Sequence, residues 1–516
     1  MDIFSDLSIV RVATYAFAAF LIVGFLVWSH RFWSTKFVLE GIHRKKLPAP
    51  EELGGPKLLS VLTAWDLTLL GVGAIIGTGI FVLTGLAAAT QAGPAVVLSF
   101  VVSGFACAFA ALAYAELSAS VGGCGSAYGY SYAAFGEFIA WIIGWDLVLE
   151  YGVSVAAVAN GWSGYLYRGL HAMNINVPEV LTRGPFAVDN MTGAATPGFV
   201  NIAAVLIILV LMGLLIMGVK QSARFNNIMV IVKLVTIGIF LTVAMGHVDS
   251  ANWQDFMPFG WFHIAENGKP VGVLAGAALV FFAYVGFDAV STAVEEAKDP
   301  KRDVPIGILA SLGICTVIYI IVSAVLTGIV SYKTLGTSSP AADALEAIGM
   351  KVAAATVSTG VVMGLTAVML VLYYGLTRII LSMSRDGLLP KMLGEVSPKT
   401  HTPVKTTVIC GVVMAVMAGF IPLGALAELV NIGTLAAFVL VCIGVIVLRV
   451  TQPKMKRPFE TPGGLAVPAI GAVSCAALMY FLPGITLLRF VVWLLVGLII
   501  YFEYGVRHSN LAPKKK

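Results

Sequence analysis

The sequence predicts an all-α integral membrane protein. Twelve core transmembrane helices are expected, the first ten as two inverted repeats of five, with one extra N-terminal helix ahead of them. Three observations carry this. The chain of 516 residues is 59% hydrophobic and only 11% charged, with a mean hydropathy of +0.93, whereas soluble domains carry about 25% charged residues. Apolar runs long enough for a bilayer crossing, about 20 residues each, recur almost to its end. Two of these runs are interrupted at corresponding places, as an inverted repeat requires.

In chain order, core helices are expected near 63–88, 95–118, 128–160, 199–217, 226–244, 271–293, 306–330, 353–380, 406–420, 425–448, 466–480 and 488–504. They divide the chain into an extra hydrophobic helix and basic linker (1–57), a first repeat (58–245), a second repeat (246–450) and a closing helix pair with a short tail (451–516). The extra run, 12–28, follows Asp2 and Asp6 and has no small-residue cleavage site before Trp28. Those features argue against a removed signal peptide. The helix is expected to pack outside the bundle.

Orientation follows from the basic residues. Arg31, Lys36, Arg44 to Lys46, Lys57, Lys220, Arg224, Lys298, Lys301, Arg302, Arg378, Arg385, Lys391, Lys399, Lys405, Arg449, Lys454, Lys456, Arg457, Arg507 and Lys514 to Lys516 fall on one side. The opposite loops hold far fewer, among them Arg168, Arg183, Lys269, Lys333, Lys351 and Arg489. The positive-inside bias puts the C-terminus in the cytoplasm of a cell-membrane protein. The net charge of +5 is thus a topology signal, and no nucleic-acid partner is expected. The six cysteines form no CxxC, so neither a zinc site nor a disulfide framework is expected, and no cofactor. The sequon Asn190-Met191-Thr192 falls on the outer side.

The first interrupted run is LLGVGAIIGTGIFVL, with Gly71, Gly73, Gly77 and Gly79 in its middle. The second is FFAYVGFDAVSTA, 281–293. Backbone freed at membrane depth survives only where it lines a cavity or a ligand site. Half-helix N-termini there present N–H groups to an anion and unwound carbonyls accept from a cation. A zwitterionic α-amino acid has one of each.

Charges within the spans mark function by default. Lys233 stands about seven residues into the fifth helix, where a charge costs roughly 2.5–3.5 kcal/mol, so it must face the interior as a candidate proton carrier. Asp288 follows the second break, and Asp146 and Glu150 share one face of WDLVLEY. They are candidate proton relays or counter-charges for a basic substrate, or structural partners. Glu116 and Arg378 lie nearer the ends, within reach of water by snorkelling. Glu295, Glu296, Asp299 and Asp303, facing Arg378, Arg385 and Lys391, form either a breakable inner gate or a solvated rim.

The segments GVGAIIGTGIF, ALAYAELSAS, WIIGWDLVLEY, KQSARFNNIMVIVKL, FFAYVGFDAVSTAVEEAKDPKRDVPIGI and RIILSMSRDGLLPKMLGEVSPKTHTP resemble the signatures of the amino acid–polyamine–organocation superfamily, most closely its cationic amino acid transporter branch and bacterial relatives. The resemblance implies a LeuT-type fold. It implies that backbone N–H groups and a hydroxyl around Gly77, Thr78 and Gly79 hold the substrate carboxylate. Carbonyls near Ile75, Phe282, Ala283 and Val285 would meet the α-amino group, with Phe282 as a lid. Lys233 matches the lysine that in such relatives replaces a bound sodium ion, which suggests proton coupling.

The expectation is therefore a secondary active importer of α-amino acids, cationic or broad in specificity, working by proton symport within membrane lipid. Substrate contacts are assigned to Ile75, Gly77, Thr78, Gly79, Phe282, Ala283, Val285, Glu150 and Asp288, and proton coupling to Lys233. An exchanger without proton coupling is the nearest alternative, and a membrane amino acid sensor a more distant one. An enzyme is not expected, because the spans hold no HExxH, no GxSxG and no clustered His/Asp set.

Overall fold

A computed structural model describes residues 62–512 except 122–126, 174, 188–195, 197, 219–222, 266–267 and 401. The extra N-terminal helix, its basic linker and the sequon lie outside the described residues.

The chain is predominantly helical. It forms α1 (Ala64–Ile75), α2 (79–92, wound with π turns at both ends), α3 (Val96–Val121), α4 (Ala127–Ala134), α5 (Glu137–Ala172), α6 (Ile202–Ile216), α7 (Ala223–Ala244), α8 (Val273–Val280), α9 (Pro300–Ile329), α10 (Pro340–Ala347), α11 (Lys351–Arg385), α12 (Val404–Phe420), α13 (Leu423–Thr451), α14 (Ala466–Phe481) and α15 (Gly484–Ile500). Eight helical stretches, one of them α2 and α3 together, are long and apolar enough to cross a membrane, and α1, α6, α12 and α14 are shorter apolar helices. The protein is thus a multi-pass membrane protein. A two-stranded hairpin, His263–Ile264 with Pro270–Val271, and α10 occupy connections that the hydropathy pattern left blank.

Burial sorts the helices. Val273–Ser291 is almost wholly enclosed, whereas α7 turns Ile228, Ile231 and Val235 outward. The lipid-like surface of α7 suits a peripheral span, and α8 is central. α9 packs on α1 and α3, and α11 packs on α5 and α7. Small residues permit these approaches. A Cβ on Gly71 would overlap Ser311 of α9, and one on Gly364 of α11 would lie 2.8 Å from Cγ of Lys233.

Two expectations change here. The run 128–160 is not one helix: it divides at Gly136, whose φ of 91° suits only glycine. Of the four glycines in the first interrupted run, Gly71 and Gly73 remain inside regular α1, so the break is shorter than the cluster.

Thr63 starts α1 through a capping box with Asp66, Thr63 N–H donating to Oδ2 at 3.0 Å and Asp66 N–H to Thr63 Oγ1 at 3.3 Å. Such caps satisfy N–H groups that the first turn leaves orphaned. Lys298 N–H donates to Leu62 O at 2.8 Å, clipping the start of α1 to the end of the second interrupted segment.

Glu116 does not snorkel. Its carboxylate is buried and accepts from Arg449 Nε at 2.9 Å and Nη2 at 2.5 Å, and from Thr461 N–H at 2.9 Å. The pair pins the connection after α13 to the end of α3. A second guanidinium, Arg457, stands with its Nε 3.5 Å from Glu116 Oε1. Removing one partner of a buried pair strands the other charge, at roughly 3–5 kcal/mol, and Glu116 is the partner that both arginines share. Arg449→Leu is expected to lower the thermal unfolding midpoint of the purified protein, and Glu116→Gln to lower it further. Equal midpoints for wild type and Arg449→Leu would exclude a stabilising clamp. Arg378 stays exposed as expected, its guanidinium 4.7 Å from the Tyr374 ring centre.

Candidate functional site

Both interrupted runs are unwound. α1 stops at Ile75, Ile76 is extended (φ −71°, ψ 102°), and winding resumes at Gly79. α8 stops at Val280 and gives way to a 3-10 turn, Phe281–Tyr284, then to Val285 (ψ 128°), Gly286 (φ 121°) and a second 3-10 run, Phe287–Glu296. Gly286 is required twice over. Its φ is one that L side chains rarely adopt, and an added Cβ would lie 2.9 Å from Ala74 O, in the last turn of α1 before the other break. Gly79 in turn lies against the backbone of Ala283, whose N would be 2.8 Å from an added Cβ.

Between the breaks is a cavity of about 20 Å³, enough for about one water. Ala74, Ile75, Gly77, Thr78 and Gly79 line it with Phe282 and Val285 of the second break. Ser154 and Val158 of α5 and Val368 and Leu372 of α11 complete the wall. An amino acid therefore fits only after the walls part.

The polar groups at the breaks fall into two classes. The carbonyls are already engaged. Lys233 Nζ donates to Gly73 O at 2.5 Å. The Tyr319 hydroxyl lies 2.9 Å from Ile75 O and 2.8 Å from Ala283 O, donating to both. Tyr165 donates to Phe81 O at 2.7 Å, and Val285 N–H to Phe282 O at 3.2 Å. The donors are not engaged: among the described residues the N–H groups of Gly77, Thr78 and Gly79 meet no backbone or side-chain acceptor. The buried hydroxyls of Thr78 and Ser154 are unpartnered as well. Unpaired N–H groups at the start of a half-helix and a free hydroxyl make an anion-binding end. Each engaged carbonyl keeps one lone pair for a cation.

Of the expected substrate residues, Ile75, Gly77, Thr78, Gly79, Phe282 and Val285 line the cavity, and Ala283 lies behind it with its carbonyl on Tyr319. Glu150 and Asp288 do not line it. Both are buried, at 2% and 5% exposure, Glu150 beside Thr434 and Asp288 beside Tyr151. The wall of α5 is instead built one and two turns further on, by Ser154 and Val158. Lys233, 2% exposed, also stands outside the cavity, against α1 just before its break. Among the described residues no ion pair joins the Lys298–Asp303 connection to Arg378, Arg385 or Lys391, so the inner-gate pairing is not formed in this conformation; the side chains of Glu295 and Glu296 are not described.

Sequence reasoning missed Ser154, Val158, Val368, Leu372 and Tyr319. Asp146, Glu150, Ser154 and Val158 follow one another at i+4 along one stripe of a helix, which was the available signal for the α5 wall. Tyr319 is the one aromatic residue of α9. Its polar tip within an apolar run asks for a partner. Val368 and Leu372 carry no mark that separates them from ordinary core residues.

The family model described as Amino acid permease matches residues 62–502. The chain is 48% identical over 454 residues to the methylthioribose transporter of Bacillus subtilis, an alignment covering 88% of this chain and 95% of that protein. It is 47% identical over 459 residues to the branched-chain amino acid permease BcaP of the same organism, covering 89% and 96%. It is 37% identical over 417 residues to the vacuolar cationic amino acid transporter 4 of Arabidopsis thaliana, covering 80% and 66%. These relatives are permeases and transporters, not enzymes. A membrane chain with paired broken helices around one cavity, matched over most of its length, belongs to the amino acid permease family of the amino acid–polyamine–organocation superfamily.

Proposed function

We propose that this protein imports neutral aliphatic α-amino acids across the cytoplasmic membrane by proton symport. The reading takes α1–α2 with α3, α5, α6 and α7 as the first five-helix repeat, and the second interrupted helix with α9, α11, α12 and α13 as its inverted partner. α14 and α15 follow, which gives twelve core spans with a cytoplasmic C-terminus.

The observation that carries it is the chemistry of the cavity wall. Unpaired N–H groups of 77–79 and the Thr78 hydroxyl offer one end a carboxylate site. Val158, Val285, Val368, Leu372 and Phe282 offer the rest an apolar surface. Among the described residues no charged side chain lines the wall, which favours a neutral cargo over a cationic one. The engaged carbonyls and the one-water volume fit a closed conformation of an alternating-access cycle. Lys233 bears on the break from outside the cavity, so its protonation acts on helix position and not on the cargo directly.

The test is uptake in proteoliposomes with acid outside. Labelled alanine and valine should accumulate and arginine should not compete. Methylthioribose, named for one relative, is included as a competitor. Accumulation of arginine alone would replace the neutral reading with the cationic one. Uptake of methylthioribose with none of any amino acid would remove the zwitterion site. Ligand-induced thermal stabilisation gives the same ranking without transport.

A further inference from the structure

Helical hydrogen bonding in α8 ends where Phe281 N–H meets Ala277 O, the same N–H also lying against Leu279 O. The winding then tightens to 3-10 through Tyr284. Ala278 O and Leu279 O thereby lose the N–H groups of Phe282 and Ala283 that a continuing α-helix would present. Both residues are buried, at 0% and 3% exposure, where an unpaired acceptor has no water to turn to.

One side chain takes both carbonyls. Asn431 Nδ2 donates to Ala278 O at 2.7 Å and to Leu279 O at 2.9 Å. Asn431 stands within the apolar run of α13 and is fully buried. The direction of its carboxamide is fixed by chemistry, because both partners are acceptors. A polar residue in mid-span needs such a reason.

We propose that Asn431 is the positioning residue that keeps the second break unwound, its carboxamide standing in for the two helical donors that the 3-10 turn withdraws. The inference rests on the reading of the breaks as the substrate site. Without the cap, Ala278 O loses its donor and Leu279 O keeps only its share of the Phe281 N–H, and both recover helical donors if α winding continues into Phe282 and Ala283. A 3-10 helix turns about 120° per residue and an α-helix about 100°, so rewinding rotates Phe282 away from the cavity and carries Ala283 off Gly79. Attachment of α8 does not itself depend on Asn431. Ser99 and Ser103 of α3 hold Val273 O at 2.8 Å and Ala277 O at 2.7 Å.

The experiment compares wild type with Asn431→Leu, of similar bulk and no donor, and Asn431→Gln, which keeps the carboxamide. Hydrogen exchange of 278–286 without substrate reads the break directly and independently of any cargo. Asn431→Leu should slow exchange at Phe282 and Ala283, and Asn431→Gln should resemble wild type. Affinity for the best-stabilising amino acid should fall about tenfold in Asn431→Leu and be largely kept in Asn431→Gln, with the apo unfolding midpoint recorded beside each. Unchanged exchange in Asn431→Leu overturns the proposal, as does unchanged affinity, whatever happens to the midpoint. If Asn431→Leu does not fold, Asn431→Ala replaces it, smaller and without a donor. Equal affinity and exchange in Asn431→Ala and wild type then overturn it. A wild type that binds no amino acid defeats the functional reading and leaves the exchange comparison standing.

Discussion

Lys233→Met is expected to abolish acid-stimulated uptake and to slow transport about tenfold or more. The lysine donates to Gly73 O at 2.5 Å, one turn before α1 unwinds, and its stem lies over Gly364 of α11. Methionine fills the same space without a donor. Gly73 O is then left in apolar surroundings without that partner, a cost of about 1–3 kcal/mol in this conformation. Among the described residues no carboxylate forms an ion pair with Lys233, so its ammonium is stabilised only where a carbonyl accepts from it. A ligand shifts a conformational equilibrium only by its differential affinity for the two states. The proton meets that condition here, because the acceptor stands in the last turn of α1, next to the segment that unwinds. Protonation favours the conformation in which α7 holds α1, and uptake should therefore rise as external pH falls. The measurement is initial uptake into proteoliposomes at two external pH values. A Lys233→Met variant that keeps the wild-type ratio of the two rates would remove Lys233 from the coupling.

How much of this was legible in the sequence depends on which coordinate of a helix a residue pattern reports. Position along the axis was readable. The runs fall close to the observed helices; the first unwound segment is marked by its glycine cluster and the second by its matching place in the repeat. Direction around the axis was not. Glu150 and Asp288 have the depth of a substrate site, yet α5 turns its next two turns, Ser154 and Val158, toward the cavity. Lys233 was placed inward by the cost of exposing its charge, and that argument does constrain direction, because only one face avoids lipid. Glu116 failed for a different reason. Its place near a helix end permits snorkelling, but its partner Arg449 is 333 residues away, and no local pattern announces such a pairing. The carbonyl caps are distributed in the same way. Tyr319, Lys233, Tyr165 and Asn431 come from four helices, and only the fold brings them to the breaks.

The glycines of the first break separate into two kinds, and alanine substitution should tell them apart. A Cβ on Gly79 would overlap the backbone of Ala283 in the opposite break, with Ala283 N only 2.8 Å away. Backbone cannot swing aside as a flexible side chain does, so the two unwound segments must separate or the new residue must strain. Overpacking of this kind costs about 1–3 kcal/mol in an ordinary core. Here it also displaces the Ala283 carbonyl, which shares the Tyr319 hydroxyl with Ile75 O, and it moves the N–H groups that face the cavity. Gly79→Ala is therefore expected to reduce uptake about a hundredfold, with amino acid stabilisation of the purified protein lost. Gly77→Ala meets Val368 Cγ1 at 3.8 Å, and Val368 Cγ2 and Ile75 O at 3.9 Å, all ordinary contacts. It should fold and transport, while the added methyl narrows the cavity, so that valine and leucine lose more affinity than alanine. Uptake of radiolabelled amino acids by the two variants, at matched expression, decides the matter. If Gly79→Ala transports as wild type does, the two breaks do not meet closely during the cycle, and the shared Tyr319 contact has no mechanical role. If Gly77→Ala penalises alanine as heavily as leucine, the cargo side chain does not lie against Val368 and Leu372. The apolar wall would then serve packing of α11 and not selection of the substrate.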